Sequence, residues 1–349
     1  MLVKSRGVLM VGVLAVGSLF VCGAAETELK IYTWADYFDR EVLARFEKAH
    51  HCRIVVDTFD SNEAMYEKLL AGSSGYDVVT PSTYQIQAMI DKKMVAPLDH
   101  GKLPHVSRNF DKVYAGCIFD PSFEYSVPYV VNYAGLVYRK DKVTGTVDSW
   151  RVYENPDYQG NLSILDDPRE TIGIALLALG CSINTTNRAE IAKATALLLK
   201  WRANSVRFDN ERYKSAVAGG DLAIGHGYFS DCLQIAIRDR GHITFVFPKE
   251  GFSISADEFV LAADSAKSDL AHAFIDFMYE EKNARDNMIS VCATMPVAPA
   301  IRGLDKDLKD LICVDAAVLK RGEVIRDFDD KPEVRKMYSE AWDKVKAGK

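Results

Sequence analysis

The chain lacks the marks of several large functional classes. It has no basic excess: 43 Lys and Arg against 49 Asp and Glu leave a formal charge of -6, and no basic run reverses it. That balance gives a nucleic-acid partner no electrostatic footprint. It also has no apolar run of the roughly 20 residues that a membrane helix needs. Seven cysteines are scattered without a C-x-x-C pair or zinc-like spacing, and the seven histidines are equally dispersed. His50-His51 is adjacent rather than at helical metal-ligand spacing, so no metal site is expected. Repeats and low-complexity segments are missing. So are G-x-S-x-G, H-E-x-x-H, a Walker lysine loop and G-x-G-x-x-G after a strand. Gly72-Ser73-Ser74-Gly75 follows a helical pattern and has no partnering Lys-Thr, which makes it a helix stop. No motif proposes catalysis.

What is present is ordinary globular composition: 48% hydrophobic and 26% charged residues over 349 positions, enough for a large core and two lobes. The amino terminus carries the first strong signal. Lys4 and Arg6 precede an apolar run from Gly7 to Val21, which ends at Cys22-Gly23-Ala24-Ala25. A charged start, a short apolar middle and a small-residue end describe an export signal over residues 1–25. Leu19-Phe20-Val21-Cys22 resembles a bacterial lipobox, in which Cys22 becomes lipid-modified, although Val21 is larger than usual before that cysteine. Cleavage after Ala25 is the alternative. Six cysteines then remain in an exported chain; they permit disulfides, and they read equally well as small buried hydrophobes.

The mature chain is organised around Lys30 to Tyr84, which reads as strand–helix–strand–helix–strand. The strands stop at Ala35-Asp36-Tyr37, at Asp60-Ser61-Asn62-Glu63 and at Pro81-Ser82-Thr83-Tyr84. The carboxyl ends of strands in an open parallel sheet face the ligand crevice. A helix over 85–93, a short strand at 94–98 and a loop-rich stretch to Pro121 follow. Tyr125 to Val137 is strand-like throughout and aromatic, suited to a crossover into a second lobe. Short strands at 162–165, 206–208, 222–225 and 243–247 alternate with helices after Asp167 and over 189–201, an α/β pattern. The run 258–263 reads as a strand returning to the first lobe, followed by one helix over 268–288 and a terminal helix over 331–346. Two crossings make a hinge. The expected lobes are 26–135 with 258–302, and 136–257 with 303–349.

The candidate site gathers at strand-to-helix junctions: Trp34, Asp36, Tyr37, Ser82, Tyr84, Asp167, Glu170, Tyr228, Asp231 and Asp257. Carboxylates accept charge-assisted hydrogen bonds from ammonium groups, and ring faces cover methylenes and attract cations. This pattern fits an aliphatic amine. Each member has a plainer reading. Asp167-Pro168-Arg169-Glu170 is a helix start with a cap and Pro at its first turn; Asp36, Asp60 and Ser82 could also cap helices, and Trp34 could be core.

Five segments carry a resemblance: Thr33-Trp34-Ala35-Asp36-Tyr37, Asp60-Ser61-Asn62-Glu63, Tyr76 to Ser82, Ser126-Val127-Pro128-Tyr129 and Pro248-Lys249-Glu250-Gly251. In this order they resemble the periplasmic spermidine/putrescine-binding proteins of bacterial ABC transporters, from about Leu29 to Lys349. The resemblance implies a type II, two-lobed periplasmic-binding-protein fold, each lobe a mixed sheet flanked by helices, with putrescine or spermidine in the interlobe cleft. Trp34 would stack on the ligand. Asp36 would accept an ammonium, as in putrescine-preferring members; Ser82 and Tyr84 would line the first lobe. Glu170 with Asp167 would bind from the second, Tyr228 would replace a usual tryptophan with Asp231 near it, and Asp257 would hold an ammonium. The implied partners are permease subunits and, through a lipid on Cys22, a membrane. A monomeric periplasmic receptor without cofactor, metal or enzyme activity is expected.

The match has departures. A short insertion around His226–Asp231 lets Tyr228 trade places with His226 or Phe229. Ser255 and Ala293 stand where aromatic rings are usual, and a glutamine of spermidine-preferring members is replaced near Ile325. Each lost ring removes about 1 kcal/mol of hold on the methylenes. Asp36 and Asp231 lean the reading toward putrescine. The same fold with another solute (ferric ion, sugar, thiamine) is the alternative, and a carboxylate-based glycosidase is a distant third.

Overall fold

The computed structural model describes residues 27–348, apart from 73–74, 205, 327 and 329–330. The export signal and Cys22 lie outside the described residues, as do the two serines of the proposed helix stop.

The opening unit forms as its pattern dictates. β1 (Thr27–Trp34) pairs in parallel with β2 (Cys52–Phe59) and with β3 (Val78–Val79), so β1 lies between them. Leu29 and Ile31 are fully buried on β1, and the helix Arg40–His50 covers them with Val42 and Phe46. The junctions before the helices are built by residues other than those expected as caps. Asp39, not Asp36, accepts from the backbone N–H of Glu41 and Val42; Ser61, not Asp60, accepts from Ala64 ahead of the helix Asn62–Leu70. Asp36 instead adopts a left-handed conformation with φ 57°, one that Asp tolerates better than most residues.

β4 (Val95–Ala96) is short, and the stretch read as loop contains the helix Pro104–Asn109. β5 (Ser126–Arg139) then runs through both halves of the molecule. Its first part pairs antiparallel with β10 (Phe252–Ala262), and its last part pairs with β8 (Ile224–Tyr228) and β9 (Ile243–Val246). β6 (Leu162–Ile164) joins β8 and β7 (Arg207–Phe208) in parallel; β3, β4 and β11 (Gly322–Val324) attach to β10. The path β2-β1-β3-β10-β5-β8-β6-β7 is thus one mixed sheet in which β5 and β10 are the two crossings.

Two main cores result. The first packs β1, β3 and the front of β5 against the helices Ser268–Met278 and Glu281–Val291, with Phe46, Phe259 and Phe274 in edge-to-face contact. Such ring pairs add about 0.5–1.5 kcal/mol each beyond area burial. The single helix expected over 268–288 is two, broken where Glu280 turns extended (ψ 136°) beside Tyr279, whose hydroxyl donates to the Pro128 carbonyl. The second core gathers Trp150, Trp201, Ile172, Leu176 and Tyr338. Cys117, Cys181, Cys232, Cys292 and Cys313 carry free thiols, Cys232 and Cys292 buried as small hydrophobes.

Candidate functional site

Between the two halves lies a cavity of about 920 Å³, its open mouth included. Nine of the ten residues expected from the sequence line it: Trp34, Tyr37, Ser82, Tyr84, Asp167, Glu170, Tyr228, Asp231 and Asp257. Asp36 does not; it is exposed and lines the adjoining groove. The ambiguity around the insertion resolves sterically. Tyr228 ends β8 and reaches the cavity, whereas His226 is fully buried against Trp150 at 5.0 Å between ring centroids.

Asp257 sits in the middle of β10, not at the end of a run before a strand. The pairing of β10 with β5 shifts register between Asp257 and Glu258, a bulge that aims the carboxyl sideways into the cavity. Asp257 is 3% exposed. Ser82 Oγ donates to Oδ1 at 2.6 Å; Asn132 Nδ2, at 2.5 Å, and the Tyr37 hydroxyl donate to Oδ2. Burial pushes this carboxyl up to about 6 against the downward pull of those donors. The Trp34 indole N–H is buried without a hydrogen-bond partner, yet lies close enough to lower the Asp257 pKa. Trp34 packs edge-on against Phe59 with ring centroids 4.4 Å apart, so its core and cavity roles coexist.

The second acidic group stands at the start of the helix Pro168–Ala178. Asp167 caps it, accepting from Arg169 N at 2.8 Å and Glu170 N at 2.9 Å. Nearly every following residue of this helix is buried, so its axis is fixed and its N-terminus points at the cavity. Glu170 is itself buried and accepts from Ser253 Oγ at 2.5 Å. Burial and the Asp167 charge push its carboxyl up to about 8. Burial raises Asp167 too, and Glu63 is raised by burial and by Asp167. The phenols of Tyr84 and Tyr228 line the same cavity, and burial together with the charges of Asp167 and Asp257 raises both. Asn62 holds Tyr84 in place with a 2.7 Å hydrogen bond from Nδ2.

A third group comprises Asp231, Glu211 and Lys214. Lys214 Nζ lies 3.3 Å from Asp231 and 3.5 Å from Glu211. Counting the lining among the described residues, Asp60, Glu63, Asp166, Asp167, Glu170, Glu211, Asp231 and Asp257 face one cation, Lys214. A cavity so charged has no use for an anion. Burial raises the pKa values of Asp257, Glu170 and Asp167, and a cation brought among them would favour their ionised forms. No group of three or more His, Cys, Asp or Glu among the described residues is arranged to hold a metal ion.

Sequence reasoning missed Asn132, Asn62, Glu211 and Lys214. Asn132 had a signal, a lone amide inside an apolar strand. Lys214 and Glu211 had none, because they read as the solvated face of a helix. Ser255 lines the cavity where a ring was expected, Ile325 lines it too, and Ala293 is buried outside the lining.

Residues 41–311 match the family described as bacterial extracellular solute-binding protein. The chain belongs to this family. A putrescine/cadaverine-binding protein of Pseudomonas aeruginosa is 30% identical over 344 residues, covering 93% of this chain and 96% of the relative. A spermidine/putrescine ABC transporter protein of Listeria monocytogenes, described as putative, superposes with a TM-score of 0.84 at 29% identity. That comparison covers 92% of this chain and 99% of the other. The TpPotD lipoprotein of Treponema pallidum gives 0.82 at 28% identity, covering 91% and 99%. The fold is that of the two-lobed periplasmic binding proteins, α/β with mixed sheets flanked by helices.

Proposed function

We propose that the chain is the polyamine receptor of an ABC transport system. It binds putrescine or spermidine between the lobes, closes on the ligand and delivers it to the membrane permease. The observation that carries this reading is a water-accessible cleft lined by two buried acidic centres, Asp257 and Asp167–Glu170, together with the rings of Trp34, Tyr84 and Tyr228. A diammonium chain needs a carboxylate at each end and ring faces along its methylenes. Putrescine is favoured, since two acidic centres match two ammoniums. Trp34 and Tyr37 complete the Asp257 end, and Ser82 orients the carboxylate. Asp36 and Asp231 are not assigned ammoniums: one is exposed outside the cavity, and Lys214 neutralises the other.

The lobes are residues 26–135 with 258–302, and 136–257 with 303–349, with one adjustment. Leu304, Ile312 and Val314 pack into the first core, which moves the last boundary past Val314. β5 and β10, crossing side by side, form the hinge. The leader directs export to the periplasm, and a lipid on Cys22 would tether the monomeric receptor to a membrane.

A thermal melt tests the reading. A ligand at 100 times its Kd stabilises a fold by about 2.7 kcal/mol, so putrescine should raise Tm by several degrees while a sugar and ferric ion leave it unmoved. A shift with the sugar or the metal alone would replace polyamine with that solute.

A further inference from the structure

Lys214 belongs to the cavity wall and carries the same functional group as the proposed ligand. It projects from the helix Arg212–Gly219 with its side chain 21% exposed, and Asp231 opposite is 23% exposed. The buried Tyr213 hydroxyl donates to Asp231 Oδ2 at 3.2 Å, and its oxygen accepts from the Tyr228 backbone N–H at 3.3 Å, so the carboxylate is tied to β8 as well as to Lys214. By contrast, the hydrogen-bond donors at Asp257 are Ser82, Tyr37 and Asn132, and the donor at Glu170 is Ser253, all uncharged.

We infer that Lys214 is a specificity-determining residue: a tethered ammonium that fills the Asp231–Glu211 end of the cleft and denies it to a ligand cation. This inference rests on the polyamine reading. An incoming ammonium at Asp231 would exchange one like charge for another, with no gain in pairing and with Lys214 left to be solvated elsewhere. A diamine loses nothing by this, because Asp257 and Asp167–Glu170 serve its two ends. A triamine has a third charge to place, and at the Asp231–Glu211 end it meets the Lys214 ammonium already seated between the two carboxylates. Burying that charge unpaired is costly.

A second observation supports the same conclusion. Lys214 and Asp231 line both the cavity and the adjoining groove that holds Asp36, Arg40 and Arg238. The pair is therefore the partition between them. Replacing the ammonium by an apolar side chain frees Asp231 and Glu211 for a longer ligand and leaves Asp36 just beyond.

The test is calorimetric titration of putrescine and spermidine into the wild-type protein and into Lys214→Met. The spermidine-to-putrescine affinity ratio should rise at least tenfold in the variant. A ratio within twofold of wild type overturns the inference while leaving the polyamine reading intact; a wild-type protein that binds neither amine overturns both. Should Lys214→Met not fold, Asp231→Asn gives the second readout. Its putrescine Kd should rise less than fivefold against a much larger rise in Asp257→Asn, and equal losses in the two variants would overturn the inference.

Discussion

Ser82 and Asp257 meet twice, through an antiparallel backbone bridge and through a 2.6 Å hydrogen bond from Ser82 Oγ to Asp257 Oδ1. One residue follows the third strand of the opening unit; the other lies on the strand that returns to it. A single carboxylate is thereby fixed from both sides of the chain, with Tyr37 and Asn132 holding its other oxygen. A preorganised carboxylate spends none of its attraction on its own ordering when a cation arrives.

Asp257→Asn keeps the shape and removes the charge. Truncating one partner of a buried charge pair costs about 2–5 kcal/mol, so Kd for putrescine should rise at least ~30-fold. Titration calorimetry, with a circular-dichroism melt to establish folding, measures it. An unchanged Kd in a folded variant would take Asp257 out of the site.

Binding should release protons. Asp257 at about 6 and Glu170 at about 8 both lie above ordinary carboxyl values of roughly 4 in the ligand-free fold. Their contribution to ligand-free stability is present below the unfolded pKa near 4 and is lost as pH rises through about 6 and then about 8. A dication favours the ionised forms, so affinity should climb across that window while the amine, with pKa values near ~10 like lysine, stays charged. Calorimetry at pH 6 in buffers of different ionisation enthalpy reads the protons directly. Net proton uptake would contradict the assignment.

Tyr228→Leu should weaken every amine by a similar factor. The ring supplies cation–π attraction and methylene cover rather than a charge, worth about 0.5–2 kcal/mol. The Kd values for putrescine and cadaverine should rise together, by roughly 3- to 30-fold. A loss confined to one of them would mean that the ring reads length.

Gly227→Ala should destabilise the second lobe and weaken binding. A Cβ there would meet Tyr213 Cε2 at 2.3 Å and Cys232 Sγ at 2.8 Å. Tyr213 is fully buried and cannot retreat, so overpacking of about 1–3 kcal/mol is expected in a urea titration. Gly116→Ala, with nothing within 4 Å of the added atom, is the neutral control.

The opening unit was legible because its periodicities are local: apolar residues recur at helical spacing between β-rich runs, and each run ends in polar residues. The cavity was legible for the same reason, since strand ends of an α/β sheet converge wherever they stand in sequence. Asp257 was located but misdescribed. A bulge in a strand depends on its partner's register, and β5 lies more than a hundred residues away in the chain. The break at Tyr279–Glu280 was hidden too, because no Gly or Pro marks it. Lys214 could not be found at all: a charged residue on a helix looks solvated until the fold turns that face toward Asp231. Asp36, read at a strand end with Trp34 and Tyr37, stands instead in the adjoining groove, with a left-handed backbone that no sequence pattern marked.

The most direct measurement is calorimetric titration of the mature protein, freed of bound solute by unfolding and refolding, with putrescine, spermidine and a sugar. The account predicts one-to-one binding of putrescine, tighter than spermidine, and no heat from the sugar. Absence of binding by either amine would contradict it, leaving a two-lobed receptor whose acidic cleft serves some other cation.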